Sequence, residues 1–300
     1  MGEPLTAANP PPRPADTRHR DLEGKTFLVT GASAGIGLAT TEALCARGAR
    51  VHLACRSEEK ARPLLLGLQG RHGERAAALL ALDLADLSSV RAAAQRFLDG
   101  GEPLHVLINT AGIAGIRGLT KDGFELTFGT NHLGHFLFTL LLEERLKASA
   151  PARVVNVSSH SHRRARGIPF DTLRKPTGRL LIPAYEASKL ANNLFAAEHG
   201  RRLSGTGVTT YAVHPGVVMS EIWRPMPRWM LKGMTLLRGM ITNEEGALTS
   251  LYCATSPEVA THTGRYYSKQ REARASAESH DDALARSLWE WSERAVGLKS

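Results

Sequence analysis

Thr30-Gly31-Ala32-Ser33-Ala34-Gly35-Ile36-Gly37 is the stretch on which the fold turns. The run before it, Lys25-Thr26-Phe27-Leu28-Val29, has the apolar content of a short buried strand. The run after it, Leu38-Ala39-Thr40-Thr41-Glu42-Ala43-Leu44, is rich in helix formers. Three glycines thus fall at a strand-to-helix turn, where helical N–H groups point outward and the backbone can come close to a phosphate. Gly31 permits the tight turn, Gly35 the close approach and Gly37 the packing of helix on strand, with Ser33 and Ile36 in the same expected dinucleotide site. Gly31 to Gly35 also spell the G-x-S-x-G of a hydrolase nucleophile elbow. That alternative needs an oxyanion loop upstream, then an acid and a histidine downstream. No glycine-rich loop precedes Ser33, and His214 runs directly into Pro215-Gly216, so the layout does not support it.

The 300 residues suffice for one large α/β domain with a full core. The formal charge of +9 invites a nucleic-acid reading, but aromatics are only 6% and no nucleic-acid motif is present. A basic surface suits a cofactor carrying several phosphates instead. Cys45, Cys55 and Cys253 are an odd number without metal-like spacing, which points to a reducing compartment and to no metal site. The N-terminus lacks an apolar signal core, and no run approaches the ~18 apolar residues of a membrane span. A cytoplasmic protein is expected.

Residues 1–22 are rich in Pro, Arg and Ala and read as a flexible tail ahead of a catalytic domain at 23–300. Strand-like runs follow at Thr26–Thr30, Arg50–Ala54, Ala76–Leu82, Leu104–Ile108, Arg153–Ser158 and Val208–Val213. Helical stretches lie between them at Gly35–Arg47, Glu58–Leu68, Leu87–Leu98, Gly123–Leu146 and Ala187–Leu203. Strand alternating with helix predicts right-handed βαβ units: a single Rossmann-type, doubly wound α/β domain with a mostly parallel sheet and helices on both faces.

The second strand ends Ala54-Cys55-Arg56-Ser57. An NAD site usually places a carboxylate here for the ribose 2′-hydroxyl. Arg56 and Ser57 suit a 2′-phosphate, so NADP (NADPH) is the expected cofactor. Asp83, with Leu84 beside it, ends the third strand within reach of an adenine. It can also cap the next helix, although Asp86 is better placed for that. Asn109-Thr110-Ala111-Gly112 leaves room for a ribose against the backbone.

Tyr185 and Lys189 stand four apart, on one helix face. A free phenol has a pKa near ~10, and a nearby ammonium would lower it toward useful acid–base catalysis. Upstream, a β-branched strand ends in Ser158-Ser159, at the carboxyl edge where α/β sheets bind ligands. Taken in order, Thr30–Gly37, Asn109-Thr110-Ala111-Gly112, Asn131, Ser158-Ser159, Tyr185, Lys189 and Pro215-Gly216 resemble the short-chain dehydrogenase/reductase family over about residues 24 to 270. Thr110 stands where the family has a second asparagine. Ala54-Cys55-Arg56, Asn131-His132-Leu133-Gly134-His135-Phe136 and Ser188-Lys189-Leu190-Ala191-Asn192 look like its retinol dehydrogenase-like branch, as does the segment from Arg164 to Leu180.

The resemblance implies that Tyr185 exchanges a proton with an alcohol or carbonyl. Lys189 would lower the tyrosine pKa and hold the nicotinamide ribose. Ser159 would bind the reacting oxygen, and Asn131 would anchor a water from mid-helix. Pro215, Gly216, Val218 and Ser220 would lie against the cofactor. The rival is a nucleotide-binding regulatory module of this fold without turnover.

Residues 219–242 mix methionines and tryptophans with arginines, as in a lid over a bulky apolar substrate of retinoid, steroid or polyketide type. Core packing and membrane-surface contact are the alternatives for this stretch. The basic run His160 to Arg166 reads as a solvated loop or as an attractor of acidic substrates. Residues 281–296 read as an amphipathic helix that packs on the domain or on a partner subunit of a homo-oligomer.

Overall fold

The computed structural model describes residues 20–176, 182–217 and 241–299. The expected cofactor contacts Val218 and Ser220, the stretch 219–240 of the expected lid and residues 1–19 lie outside the described residues. Strands β1 (Thr26–Thr30), β2 (Arg50–Cys55), β3 (Ala77–Ala81), β4 (Val106–Asn109), β5 (Ala152–Val157), β6 (Val208–His214), β7 (Arg265–Ser268) and β8 (Arg271–Glu272) form one sheet in the order β3-β2-β1-β4-β5-β6-β7-β8. The first seven run parallel and β8 pairs antiparallel with β7. The chain winds outward from β1 to β3, then restarts at β4 on the other side of β1, so a crevice opens between the carboxyl ends of β1 and β4.

The helices are α1 (Gly35–Ala46), α2 (Glu58–His72), α3 (Leu87–Asp99), α4 (Leu126–Phe128), α5 (Gly134–Leu141), α6 (Glu143–Ala148), α7 (Ile182–Arg202), α8 (Asn243–Thr255) and α9 (Asp282–Ala295). Every residue of β1 is buried, as a parallel strand covered on both faces requires. Its side chains alternate: Phe27 and Val29 enter one apolar cluster with Leu44 and Cys253, and Leu28 enters the other with Phe136 and Leu190. The sheet is thus sandwiched, with α1 and α8 packed together on one side and α3, α5 and α7 on the other.

Each expected strand lies within two residues of its expected ends. Three expectations need correcting. Asp21 and Leu22, assigned to the tail, are anchored: Leu22 is buried and Asp21 pairs with Arg47 at 2.5 Å. The single helix expected over Gly123–Leu146 is divided. A π turn at Gly129–Leu133 separates α4 from α5, and the Asn131 carbonyl accepts from the His135 ring at 3.0 Å. The run Arg265 to Glu272, unassigned from sequence, is a hairpin. Its turn residues Lys269 and Gln270 both take positive φ, 53° and 57°.

α9 covers the outer side of α7. Trp289 is buried there, edge-on to Phe136 at 5.1 Å, tilted against Phe195 at 5.8 Å, and capped by the Arg202 guanidinium 4.2 Å from its ring. We expect Trp289→Ala to destabilise the protein by about 3–5 kcal/mol through the cavity it leaves. The change in denaturant midpoint checks this.

Candidate active site

The glycine turn after β1 is closed by sterics. Gly31 has φ +67°, and a Cβ on it would sit 3.0 Å from Ala111 Cα. A Cβ on Gly37 would lie 2.3 Å from the Gly31 carbonyl oxygen, so only glycine lets α1 start this close to the turn. α1 begins after Ala34 with no side chain capping it. Its first N–H groups are therefore left for a ligand. The crevice they face has a volume of about 480 Å³, and Gly31, Ser33, Gly35, Ile36 and Gly37 line it.

Arg56, Asp83 and Leu84 line the same crevice. Arg56 is exposed and makes no ion pair among the described residues, so its charge is available to a ligand. Ser57 does not line the crevice. Its hydroxyl accepts from the Lys60 N–H at 3.3 Å as the N-cap of α2, because a serine just before a helix is better used on the helix's own donors. Asp86 caps α3, accepting from Ser88 and Ser89. Asp83 accepts from Ala85 N–H and remains on the crevice wall.

Ala111 and Gly112 line the crevice, whereas the Asn109 side chain turns into the protein. Its amide donates to Thr139 Oγ1 at 3.0 Å and Asn156 Oδ1 at 2.9 Å, tying β4 to β5 and α5. The loop after β4 hangs from two clamps. In one, Asn131 Oδ1 accepts from Ile113 N–H at 2.8 Å while its amide donates to Ile113 O and to Ser188 Oγ, both at 3.0 Å. In the other, Thr30 Oγ1 accepts from Thr110 and Ala111 N–H, each at 3.0 Å, and meets His135 Nε2 at 2.9 Å. The Asn131 carbonyl can only accept, so His135 Nδ1 carries the proton and Nε2 takes the Thr30 hydroxyl hydrogen. The sequence held no sign of this role for His135 beyond its position in a quoted motif.

Tyr185, Lys189 and Ser159 line the same crevice, as do Pro215 and Gly216. Tyr185 is hydrogen-bonded to Ser159. Ser158 is excluded from that place because its hydroxyl donates to the Lys189 carbonyl at 2.9 Å. Lys189 Nζ donates to the Val157 carbonyl at 2.9 Å and sits 5.6 Å from the Tyr185 ring centre. Burial lowers its pKa to about 8.

Burial raises the Tyr185 pKa, opposed by the Ser159 hydrogen bond and by the Arg164 charge. Arg164 comes from the basic loop, whose charges are partly engaged: Arg164 pairs with Glu186, and Arg163 donates to the Arg274 carbonyl.

The wall also fits a polar guest. Thr110 Oγ1, Thr130 Oγ1 and His214 Nδ1 are buried on it without a partner among the described residues. Gly31 and Gly37 leave a cradle that any larger residue would fill. These features match a dinucleotide along the crevice, with a phosphate at α1 and a further phosphate beside Arg56. Among the described residues, no group of three or more His, Cys, Asp or Glu is placed to hold a metal ion, and no helix is long and apolar enough to cross a membrane.

Comparison with known proteins agrees in outline. The family model described as short chain dehydrogenase matches residues 25–231. Retinol dehydrogenase 11 of Homo sapiens is 45% identical over 280 residues, 92% of this chain and 87% of that protein. A protein of Mycobacterium paratuberculosis superposes with a TM-score of 0.73 at 33% identity, covering 92% of this chain and 94% of its own. A short chain dehydrogenase from Burkholderia cenocepacia in complex with NADP superposes with a TM-score of 0.67 at 26% identity, covering 82% and 96%.

The buried rings around the site set a pH limit. Burial holds His135, His162 and His214 down at about 4. In the unfolded chain each returns to about 6.5. The unfolded state then binds protons that the folded state refuses, so this part of the stability is complete above about pH 6.5 and falls as pH drops toward 4. We expect a lower denaturant midpoint at pH 5 than at pH 7, with about three protons taken up by these rings on unfolding at pH 5.

Proposed function

The chain belongs to the short-chain dehydrogenase family, and on that premise we propose that it reduces a bulky apolar aldehyde or ketone of retinoid type to the alcohol, using NADPH. The observation that carries this is that Tyr185, Ser159 and Lys189 line one crevice together with the glycine turn, with Lys189 Nζ 5.6 Å from the Tyr185 ring centre. The retinoid class is supported by the 45% identity to retinol dehydrogenase 11 across most of both chains. The apolar residues Ile113 and Val217, which line the crevice with Tyr185, suit such a substrate.

When bound, the nicotinamide supplies the hydride. Gly35, Ile36 and Gly37 would offer their N–H groups to its phosphates, and Arg56 would hold a 2′-phosphate, which would favour NADP over NAD. Lys189, which donates to Val157 O, would hold the nicotinamide ribose hydroxyls. Ser159 donates to the reacting oxygen and Tyr185 transfers its phenolic proton to that oxygen as negative charge builds. Burial keeps the phenol protonated at neutral pH, the form needed to reduce a carbonyl. Asn131 fixes the Ile113 loop against the site, a positioning task. Catalysis takes place in the cytoplasm on this reading.

Tyr185→Phe should lower kcat for NADPH-dependent reduction of all-trans-retinal by about 10²–10⁴-fold while NADPH affinity stays within twofold. Retained turnover would instead favour a binding module. Arg56→Asp should weaken NADPH about 10- to 100-fold and leave NADH unaffected. Fluorescence titration of both nucleotides reads this directly, and equal effects on the two would remove the case for NADP.

A further inference from the structure

Ser159 opens a short 3₁₀ turn, His160–Arg164, and its hydroxyl accepts from the Ser161 N–H at 3.2 Å. Within that turn His162 is fully buried, unlike its neighbours His160, Arg163 and Arg164. Its Nδ1 lies 2.6 Å from the Ser159 carbonyl oxygen, and its Nε2 lies 3.1 Å from the Ser276 backbone nitrogen. A carbonyl only accepts and a backbone N–H only donates. The ring is therefore fixed as one tautomer, with the proton on Nδ1 and a bare Nε2.

The contact extends beyond Ser276. Ser276 Oγ meets Ser279 Oγ at 3.1 Å, and Ser279 Oγ accepts from the Asn193 amide at 3.1 Å. Asn193 lies about two turns beyond Tyr185 on α7. Hydrogen bonds thus run from the carbonyl of Ser159 through His162 and the 276–279 segment to the helix that carries the phenol. The Tyr266 ring meets His162 edge-on at 4.9 Å and closes its free face.

We propose that His162 is a positioning residue for carbonyl reduction: one ring nitrogen holds the Ser159 backbone, the other holds the C-terminal segment, and together they set where the Ser159 hydroxyl points. This rests on the reading that Ser159 binds the reacting oxygen. The energetic leverage is geometric, since a displacement of about 1 Å at a reacting group costs on the order of 10²-fold in rate.

The two nitrogens can be tested apart. The Asn amide of His162→Asn reproduces the Nδ1 donor toward Ser159, whereas the Gln amide of His162→Gln reaches the Nε2 place and keeps only the Ser276 contact. With NADPH and all-trans-retinal, His162→Gln should lose about 10- to 100-fold in kcat, and His162→Asn should recover most of it, with KM for NADPH unchanged in both. A purely structural histidine predicts that activity follows thermal stability in both variants, with no advantage for Asn; that result overturns the proposal. Ser159→Ala is run alongside. If it keeps full kcat, the reading of Ser159 fails. If it loses activity while the Asn and Gln variants match each other, only the role of His162 fails. Ring 15N shifts of the labelled wild-type protein give a readout independent of substrate: a bare Nε2 and a protonated Nδ1 are expected, and the reverse tautomer refutes the clamp.

Discussion

One hydroxyl, that of Thr30, holds the two halves of the site in register. It ends the first strand and must satisfy two backbone N–H groups of the loop after β4 at once. An oxygen that accepts twice needs somewhere to place its own hydrogen, and the bare Nε2 of His135 provides it. His135 in turn can be bare at Nε2 only because the Asn131 carbonyl takes its Nδ1 proton. The glycine turn, the loop beside the expected ribose site and the π turn carrying Asn131 therefore share one set of protons. A buried network of this kind is stable only when every member is satisfied.

Burial sets the electrostatics around this network. Lys189, Tyr185 and the site histidines all shift toward their neutral forms. The i, i+4 spacing of Tyr185 and Lys189 suggests the ammonium as the main influence on the phenol. In the folded chain burial acts most on the phenol and raises its pKa, and Arg164, 21 residues upstream, adds a charge that lowers it. Spacing along a helix shows which residues share a face. It does not show what else converges on that face from a loop.

Most of the fold was legible because parallel strands buried on both faces read as short continuous apolar runs, and six of them were found that way. The glycine spacing, Tyr185 and Lys189 were legible because each combines a residue type with a fixed offset. β7 was not, since its hairpin partner is a two-residue strand and the turn uses Lys269 and Gln270 in place of the usual Asn-Gly. α8 did leave a trace that went unread: Thr242-Asn243-Glu244-Glu245 is a capping box, and both its hydrogen bonds form. Asn109 and Ser57 were placed at the cofactor because they stand in the right segments. In the structure the Asn109 amide faces the sheet interior, and the Ser57 hydroxyl accepts from its own helix.

The β7–β8 hairpin has a bearing on how copies of this protein meet. A seven-stranded parallel sheet would otherwise present the full length of β7 as a template for another chain. The chain instead doubles back, and among the described residues the border strand is Arg271 and Glu272, both exposed and oppositely charged. Short charged borders pair poorly with foreign strands. Continuous cross-molecule sheets, the usual route to aggregation of α/β proteins, are thereby discouraged at this side of the molecule.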